Sequence, residues 1–219
     1  LTSVWSDDHR GVRRILDVCC GTGLMTAELR DRGFDVVGLD ASAQMLARVR
    51  VRLGPEVALV EALLPDVPSV PALGEPFDAM VSTHDGFNYL TRPGLALAIR
   101  RLGTMLRPGG WLVFDTLTNA ALAMANANPV VLGERDGMRY AVTYVVDGHD
   151  VRSIMSVAVP GRPDENFVEE HRQHIHADED IRAALAAAGL AVVGAYDDYT
   201  STPVDAATIR TTWVARRPT

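Results

Sequence analysis

The residues best suited to chemistry lie near the start of the chain, around a glycine turn. The segment ILDVCCGTGLMTAEL, residues 15–29, predicts a strand that carries Asp17, a turn at Gly21 and Gly23, and then a helix. Such a turn lets backbone N–H groups approach a ligand closely, and the following helix presents its positive end. Asp40, at the end of the next predicted strand, can accept hydrogen bonds from two ribose hydroxyls. This pattern predicts an adenosine-containing ligand.

Two residues distinguish between the adenosine ligands that fit this turn. A dinucleotide-binding turn requires a third glycine at the start of the helix, where this chain has Thr26. The carboxylate of Asp17 would repel a pyrophosphate, whereas it would attract a ligand that carries an ammonium group. S-adenosylmethionine carries an ammonium and a sulfonium group and no phosphate. The sequence therefore favours this donor, and a nucleotide-dependent oxidoreductase is the less favoured alternative.

Alternating strands and helices would position these residues in space. Helical periodicity predicts helices at 22–31, 41–53 and 93–106, and the apolar runs between them predict strands at 13–18, 34–40, 57–60, 77–83 and 111–116. This order is typical of a parallel sheet with right-handed crossovers, whose ligands bind beyond the carboxyl ends of the strands. The residues at those ends are Asp17, Asp40, Glu61, His84 and Asp115.

The pattern changes after Asn119 and predicts an antiparallel insertion. Hairpin signals at Asp136-Gly137 and Asp147-Gly148 join predicted strands within 129–161. The later predictions are a strand at 166–176, a helix at 178–190 with Asp178 as N-cap and Gly189 as its stop, and strands at 191–198 and 207–217.

These elements together predict an α/β fold. Its core is a doubly wound, mostly parallel, seven-stranded sheet of the Rossmann-like kind, with an antiparallel β insertion after the fifth strand. Residues 1–118 and 177–219 form the predicted ligand-binding domain, and residues 119–176 form the insertion. The chain begins at Leu1 rather than Met, which leaves open an N-terminal piece that precedes it.

Composition limits the classes of partner and compartment. The chain has 219 residues and a formal net charge of −7, which argues against nucleic acid or an anionic membrane as the main partner. All 21 basic residues are Arg, so a mechanism that needs a catalytic lysine is excluded. The two cysteines, Cys19 and Cys20, are neighbours and rarely bridge in that arrangement, so we expect a reducing, cytoplasmic location. No apolar run has the length of a membrane span, we expect no signal peptide, and no metal site is predicted.

Several segments in order resemble the class I S-adenosylmethionine-dependent methyltransferases. ILDVCCGTG is similar to the first motif of that family, with Cys19 at a place where the family usually has Gly. VVGLDASAQML, FDAMVSTHDGFNYL, LRPGG and WLVFD continue the match. EEHRQHIHADEDIRAALAAAGL resembles a stretch of small-molecule members that carry a β insertion, among them enzymes that methylate amino sugars and other natural products. The resemblance covers most of residues 13–196.

The resemblance implies S-adenosylmethionine as cofactor, S-adenosylhomocysteine as product and a small-molecule acceptor. It assigns Asp17 to the methionine amino group and Asp40 to the ribose hydroxyls. It also places Met45 and Glu61 at the adenine. The alternative for Met45 is a role in core packing, and the alternative for Glu61 is that of a solvated acid in a loop. The full set of cofactor residues that it implies is Asp17, Cys19, Gly21, Thr22, Gly23, Asp40, Ala41, Met45, Glu61, Ala62 and Thr83.

Methyl transfer to a hydroxyl or to a protonated amine needs a base, and the sequence leaves open which acceptor atom is used. The predicted catalytic residues are His84, after the fourth strand, and His171, which strand alternation places on one face with Glu169 and Gln173. A hydrogen-bonded structural role is the alternative for His84. The insertion is expected to act as a lid, as a homodimer interface or as both. A protein that binds S-adenosylmethionine without catalysis is the alternative outside the enzymes.

Overall fold

The computed structural model describes residues 11–219, so the first ten residues of the predicted ligand-binding domain lie outside the described part. The strands are β1 (Arg14–Val18), β2 (Asp35–Asp40), β3 (Ala58–Glu61), β4 (Phe77–Ser82), β5 (Leu106–Leu117), β6 (Val130–Arg135), β7 (Met138–Asp147), β8 (Asp150–Ala158), β9 (Phe167–His174), β10 (Ala191–Asp197) and β11 (Arg210–Arg216). The helices are α1 (Leu24–Asp31), α2 (Ala43–Leu53), α3 (Arg92–Met105), α4 (Asn119–Ala127) and α5 (Asp178–Ala187). Within residues 11–219, no helix has both the length and the apolar character needed to cross a membrane.

Seven strands form the main sheet in the order β3-β2-β1-β4-β5-β11-β10. The strands from β1 to β5 are parallel to their neighbours, whereas β11 runs antiparallel to β5 and β10 antiparallel to β11. The carboxyl ends of β1 to β5 therefore share one edge. Arg210, which begins β11, pairs with Leu117 at the end of β5, so the start of β11 lies at the same edge. The predicted Rossmann-like architecture is confirmed.

The two faces of the sheet bury separate apolar cores. Neighbouring strand residues point to opposite faces, so Ile15 and Leu16 of β1 enter different clusters. Leu16 packs in the cluster that contains Ile99 of α3 and Ile181 of α5, and all three are fully buried. Each such side chain contributes about 1.5–3 kcal/mol of burial free energy. These cores pack against both faces of the strands whose ends carry the predicted site residues.

The other four strands form a separate antiparallel sheet in the order β6-β7-β8-β9. Asn88, in the short 3₁₀ turn after β4, connects this sheet to the main one. Its Nδ2 donates to the backbone oxygen of His174 at 2.7 Å, and its Oδ1 accepts from the backbone N–H of Leu117 at 2.9 Å. Asn88 is fully buried, so the insertion is fixed beside the carboxyl edge of the main sheet.

The structure differs from the sequence prediction at three places in the second half. Helix α4 was not predicted, and its start is fixed by Thr118, whose hydroxyl accepts from the backbone N–H of Ala120. Asp147 pairs with Asp150, so the second hairpin turn is Gly148-His149 and not Asp147-Gly148. Asp178 is not the N-cap of α5, since Ala177 holds that position and Asp178 lies in the first turn, where a carboxylate favours the helix dipole.

One difference lies in the first half. The sequence predicted a third helix at 93–106 and a fifth strand that begins at residue 111. In the structure this helix, α3, ends at Met105, and Leu106 already pairs with Phe77 of β4. A register shift between Phe77 and Ala79 accommodates the glycines that follow, of which Gly109 has φ +78°.

Candidate functional site

The turn after β1 uses backbone conformations that side chains rarely adopt. Cys19, Gly21 and Gly23 have φ of +57°, +53° and +77°. A Cβ added at Gly23 would lie 2.8 Å from Cγ1 of Val49, so glycine is required there for contact with α2. At Gly21 an added Cβ would meet no atom within 4 Å, which leaves an open backbone surface that a ligand can approach. The left-handed φ at Cys19 explains why glycine suits that position in the motif.

Asp40 fixes this turn to the end of β2. One carboxylate oxygen accepts from the backbone N–H of Gly21 at 2.8 Å, and the other accepts from the backbone N–H of Ser42 at 2.8 Å. A carboxylate has about four acceptor positions, so two remain for hydroxyl donors. Asp40 pairs in register with Glu61 of β3, and its backbone oxygen accepts from the N–H of Ala62 at 2.9 Å. The ends of β1, β2 and β3 thus bring the predicted adenosyl-binding residues together.

The remaining residues predicted near the adenosine lie around the start of α2 and the end of β3. Ser42 is the N-cap of α2 and accepts from the backbone N–H of Met45, whose side chain is partly buried. Ala41 and Glu61 are exposed. These three predicted residues therefore lie around the carboxyl ends of β2 and β3.

Asp17 is buried at the centre of the site, with 1 % of its surface exposed. The hydroxyl of Thr26 donates to its Oδ2 at 2.5 Å. The pKa of Asp17 is raised to about 7, mainly by burial and also by the nearby Asp40, against the opposing effect of the hydrogen bond from Thr26. A cation beside Asp17 would offset the cost of ionising it. The two residues that favoured S-adenosylmethionine in the sequence therefore contact each other.

The loop after β4 has an unusual backbone. His84 and Asp85 have φ of +64° and +54°, although neither is glycine. The N–H of His84 donates to the hydroxyl of Tyr199 at 2.9 Å, and the N–H of Asp85 donates to Oδ2 of Asp115 at 2.9 Å. Burial raises the pKa of Asp115 to about 6, against the opposing effect of Arg210.

Three cavities meet this loop. One, of about 400 Å³, lies between His84, Tyr199 and α1. Of the other two, the first, of about 360 Å³, is lined by Gly21 together with Cys19, Thr22, Thr83 and His84. The second, of about 290 Å³, lies between the main sheet and the insertion, and its wall includes Asp85, Tyr144, Ser153, Gln173 and Arg210. His84 and Asp85 are adjacent in the chain and line different cavities, so this loop forms a wall that both cavities share.

The inner face of the insertion sheet carries a row of polar side chains. Tyr144, Ser153 and His171 are register partners across β7, β8 and β9, and Gln173 lies on the same face as His171. Nδ1 of His171 is hydrogen-bonded to the hydroxyl of Tyr89 at 2.9 Å. His171 therefore lies at the junction of the insertion with the turn after β4, and it does not line the cavity that contains His84.

Two other histidines of the insertion, His174 and His176, have structural surroundings. Nδ1 of His174 contacts Asp150, and Nε2 of His176 lies 3.3 Å from the backbone oxygen of Phe87. Burial lowers the pKa of His176, which favours its neutral form. Among residues 11–219, no group of three or more His, Cys, Asp and Glu side chains is arranged to hold a metal ion.

Sequence reasoning missed Tyr199 and Arg210. Both lie beyond the recognisable motifs, and they reach the loop after β4 only because β11 pairs with β5. Tyr144 and Ser153 were also missed, since a tyrosine and a serine within predicted hairpin strands have no distinctive spacing. The signal that could have indicated Arg210 is the predicted closing strand itself, whose start must lie at the carboxyl edge if it is antiparallel.

Comparison with known proteins identifies the family. A family model described as a methyltransferase domain matches residues 15–110. The dTDP-3-amino-3,4,6-trideoxy-alpha-D-glucopyranose N,N-dimethyltransferase of Streptomyces venezuelae is 32% identical over 186 residues, which cover 81% of this chain and 75% of that enzyme. The chain belongs to the S-adenosylmethionine-dependent methyltransferases. The predicted activity and the predicted cofactor are thereby confirmed.

Solved structures support the same conclusion. The structure of Streptomyces venezuelae DesVI matches with a TM-score of 0.76 and 26% identity, over 100% of this chain and 90% of that one. A methyltransferase from Clostridium acetobutylicum matches with a TM-score of 0.89 over 100% of this chain and 89% of that one, and at 22% identity it shows the shared fold alone. The open surface at Gly21 and the acids Asp17 and Asp40 fit a donor that carries a diol and an ammonium group.

The burial of Asp17 generates a prediction about stability and binding. Because its pKa is higher in the folded chain than in the unfolded chain, ionisation destabilises the fold progressively from about pH 4 to about pH 7. We expect Asp17→Asn to unfold at a higher temperature than the native chain at pH 8, and the gain to be smaller at pH 5. We also expect at least a tenfold loss of affinity for S-adenosylmethionine, since the charge is removed.

Thermal unfolding without donor and isothermal titration with donor measure these two effects. Asp164→Ala, at an exposed position of the insertion, serves as the control for both. A variant Asp17→Asn that binds the donor as tightly as the native chain would contradict the assigned role.

Proposed function

We propose that this methyltransferase acts on a small-molecule acceptor, which occupies the cavity between the main sheet and the insertion. The observation that carries the proposal is the shared wall: His84 lines the cavity at the glycine turn, and the adjacent Asp85 lines the second cavity. A volume of about 290 Å³ suits a compact molecule. The net charge of −7 argues against nucleic acid.

We assign donor binding to residues 1–118 and 177–219, and acceptor binding mainly to residues 119–176. Asp17, Gly21 and Asp40 would hold the methionine amino group and the ribose, and Met45 and Glu61 would contact the adenine. Gly23, Thr22 and Cys19 would shape the turn below the donor, with Ala41, Ala62 and Thr83 at its rim. These assignments are supported by the convergence of all eleven positions on the carboxyl ends of β1 to β4.

Bound S-adenosylmethionine supplies a methyl group on a positively charged sulfur, so the main task of the chain is alignment and exclusion of water. The wall formed by His84 and Asp85 would hold the acceptor against the donor site. A ring nitrogen of exposed His84 would take the proton that the acceptor nitrogen or oxygen loses. His171, fixed by Tyr89, does not line the acceptor cavity and would act on the acceptor through its register partner Ser153, which does.

An amine is the acceptor group that we favour over a hydroxyl. Asp85 lines the cavity beside Arg210, and Arg210 contacts Asp115 and Asp198 as well as Asp85. This surplus of carboxylates would favour a cationic molecule. The Streptomyces venezuelae relative is, by its name, an N,N-dimethyltransferase of an amino sugar nucleotide.

Titration and turnover test this function directly. We expect S-adenosylmethionine and S-adenosylhomocysteine to bind and NAD not to bind, and we expect S-adenosylhomocysteine release with a member of a panel of amino sugars, other amines and phenols. Asp40→Ala should lower donor affinity at least tenfold, because it removes both the hydroxyl acceptor and the anchor of the turn. Asp164→Ala is the control. Donor binding without turnover across the panel would instead indicate a binding protein.

The choice of base is tested by two histidine variants. If His84 accepts the proton, His84→Asn should lower kcat by about 10²-fold or more and alter the pH profile, with donor affinity unchanged. His171→Asn should mainly raise the KM for the acceptor. His149→Asn, in the exposed hairpin turn, is the matched control. Equal kcat for His84→Asn and the native enzyme would exclude His84 as the base.

We further propose that the insertion forms a homodimer interface. Leu132 and Val168 lie in one register row of the second sheet and are 75% and 67% exposed. They belong to a groove of about 650 Å³ that also includes Phe167. An exposed apolar patch of this kind is typical of an interface.

Light scattering after size exclusion tests the dimer. We expect a dimeric mass for the native chain and a monomeric mass for Val168→Glu. Val193→Glu, at an exposed apolar residue of β10, is the control. A monomeric native chain would overturn the proposal.

The cytoplasm is the proposed location. Cys19 and Cys20 are both free thiols, which supports a reducing compartment. Fractionation of cells that express the tagged chain tests this, and recovery outside the cytoplasm would contradict it.

A further inference from the structure

The loop that separates the two cavities adopts a conformation that its own residues disfavour. His84 and Asp85 both occupy the left-handed region, with φ of +64° and +54°. A Cβ makes that region unfavourable, and non-glycine residues visit it singly rather than in pairs. Two such residues in succession persist only where surrounding contacts fix them. The contacts that fix this loop therefore determine where His84 and Asp85 point.

Three side chains from distant parts of the chain provide those contacts. Tyr199 accepts from the N–H of His84, and Asp115 accepts from the N–H of Asp85, both at 2.9 Å. Gln173 of the insertion donates to the carboxylate of Asp85. Each backbone N–H of the pair is thus held by an acceptor outside the loop, and the insertion holds the Asp85 side chain.

Arg210 contacts Asp85 and two of the three holding groups, Asp115 and Tyr199. Its Nε lies 2.8 Å from Oδ2 of Asp115, and its Nη2 lies 2.8 Å from Oδ1 of Asp85. Its guanidinium also lies 5.6 Å from the ring centre of Tyr199 and within 3.4 Å of Asp198. Planar guanidinium groups are suited to several fixed contacts at once.

Arg210 also offsets the repulsion between the carboxylates of Asp85 and Asp115. Asp85 donates its backbone N–H to Asp115, and both residues carry a carboxylate beside Arg210. The side chain of Asp115 is fully buried, and one of its oxygens, Oδ1, has no hydrogen-bond partner in residues 11–219. Without the cation, two adjacent carboxylates would repel each other and move Asp85 away from Asp115.

We propose that Arg210 is a positioning residue for methyl transfer, which holds the His84–Asp85 pair in its left-handed conformation between the donor and acceptor cavities. This inference rests on the proposed function for its kinetic consequence. Its structural consequence is independent of any acceptor.

Arg210→Met keeps much of the side-chain length and removes the charge and the donors. We expect kcat to fall at least tenfold, with donor affinity within threefold of the native value, because the glycine turn does not depend on Arg210. Arg172→Met, on the exposed face of β9 where Arg172 contacts Glu170, is the matched control and should keep native kinetics.

A second substitution separates positioning from direct contact with the acceptor. In the Arg210→Met background, Asp115→Asn removes the unpaired buried charge and keeps an oxygen that can accept from Asp85. Recovery of at least half of the lost kcat would support positioning. A rise in acceptor KM without loss of kcat, and without recovery in the double variant, would overturn it in favour of an acceptor ligand.

A crystal structure of Arg210→Met provides a readout without turnover. We expect at least one of His84 and Asp85 to leave the left-handed region. Retention of both conformations would overturn the inference, whereas failure of the native enzyme to methylate any acceptor would overturn only the proposed function. If Arg210→Met does not fold, Tyr199→Phe tests the same loop, since it removes the hydroxyl that holds the N–H of His84.

Discussion

The double hydrogen bond of Asp40 is the interaction on which the glycine turn depends. By accepting from Gly21 and Ser42, this carboxylate joins the glycine turn, the end of β2 and the start of α2. The turn needs such an anchor, because Cys19, Gly21 and Gly23 all lie in the left-handed region. Without the anchor, the turn could adopt many other backbone conformations. The anchor uses only part of the acceptor capacity of Asp40, so the same group can hold the turn and bind a diol.

The order and direction of the strands then bring the other candidate residues to the same edge of the sheet. Parallel strands bring Asp17, Asp40 and the loop after β4 to one edge, and the antiparallel β11 returns Arg210 to that edge from the far end of the chain. The insertion is fixed to this edge through Asn88, which contacts both Leu117 and His174. Because the fully buried Asn88 satisfies a backbone group in each sheet, the insertion is held beside the carboxyl edge of the main sheet.

The sequence predicted the parts of this arrangement that depend on local pattern. Periodicity located the strands and helices of the first half, and alternation correctly placed His171 and Gln173 on one face of β9. Helix α4 was missed, because its alanine-rich sequence follows a strand and carries no charged face. The contacts of His84 with Tyr199 and of Asp85 with Arg210 span 115 and 125 residues, and no local pattern reports such pairs. They follow only from the order of strands β4, β5 and β11.

Two kinds of unfavourable energy are concentrated where the ligands are expected. Burial makes the ionisation of Asp17 unfavourable. His84 and Asp85 have a left-handed backbone conformation, which is unfavourable for residues with a Cβ atom. A cationic donor reverses the first effect, since ionised Asp17 then has a partner. The second effect is offset, in our proposal, by the contacts of Arg210 and Asp115 with the loop. Both residues lie outside the loop, and the His84 imidazole stays exposed. The fold thus gives up stability at Asp17, which is proposed to hold the donor, and at the His84–Asp85 loop between the two cavities, and it recovers stability in the cores beneath the strand ends.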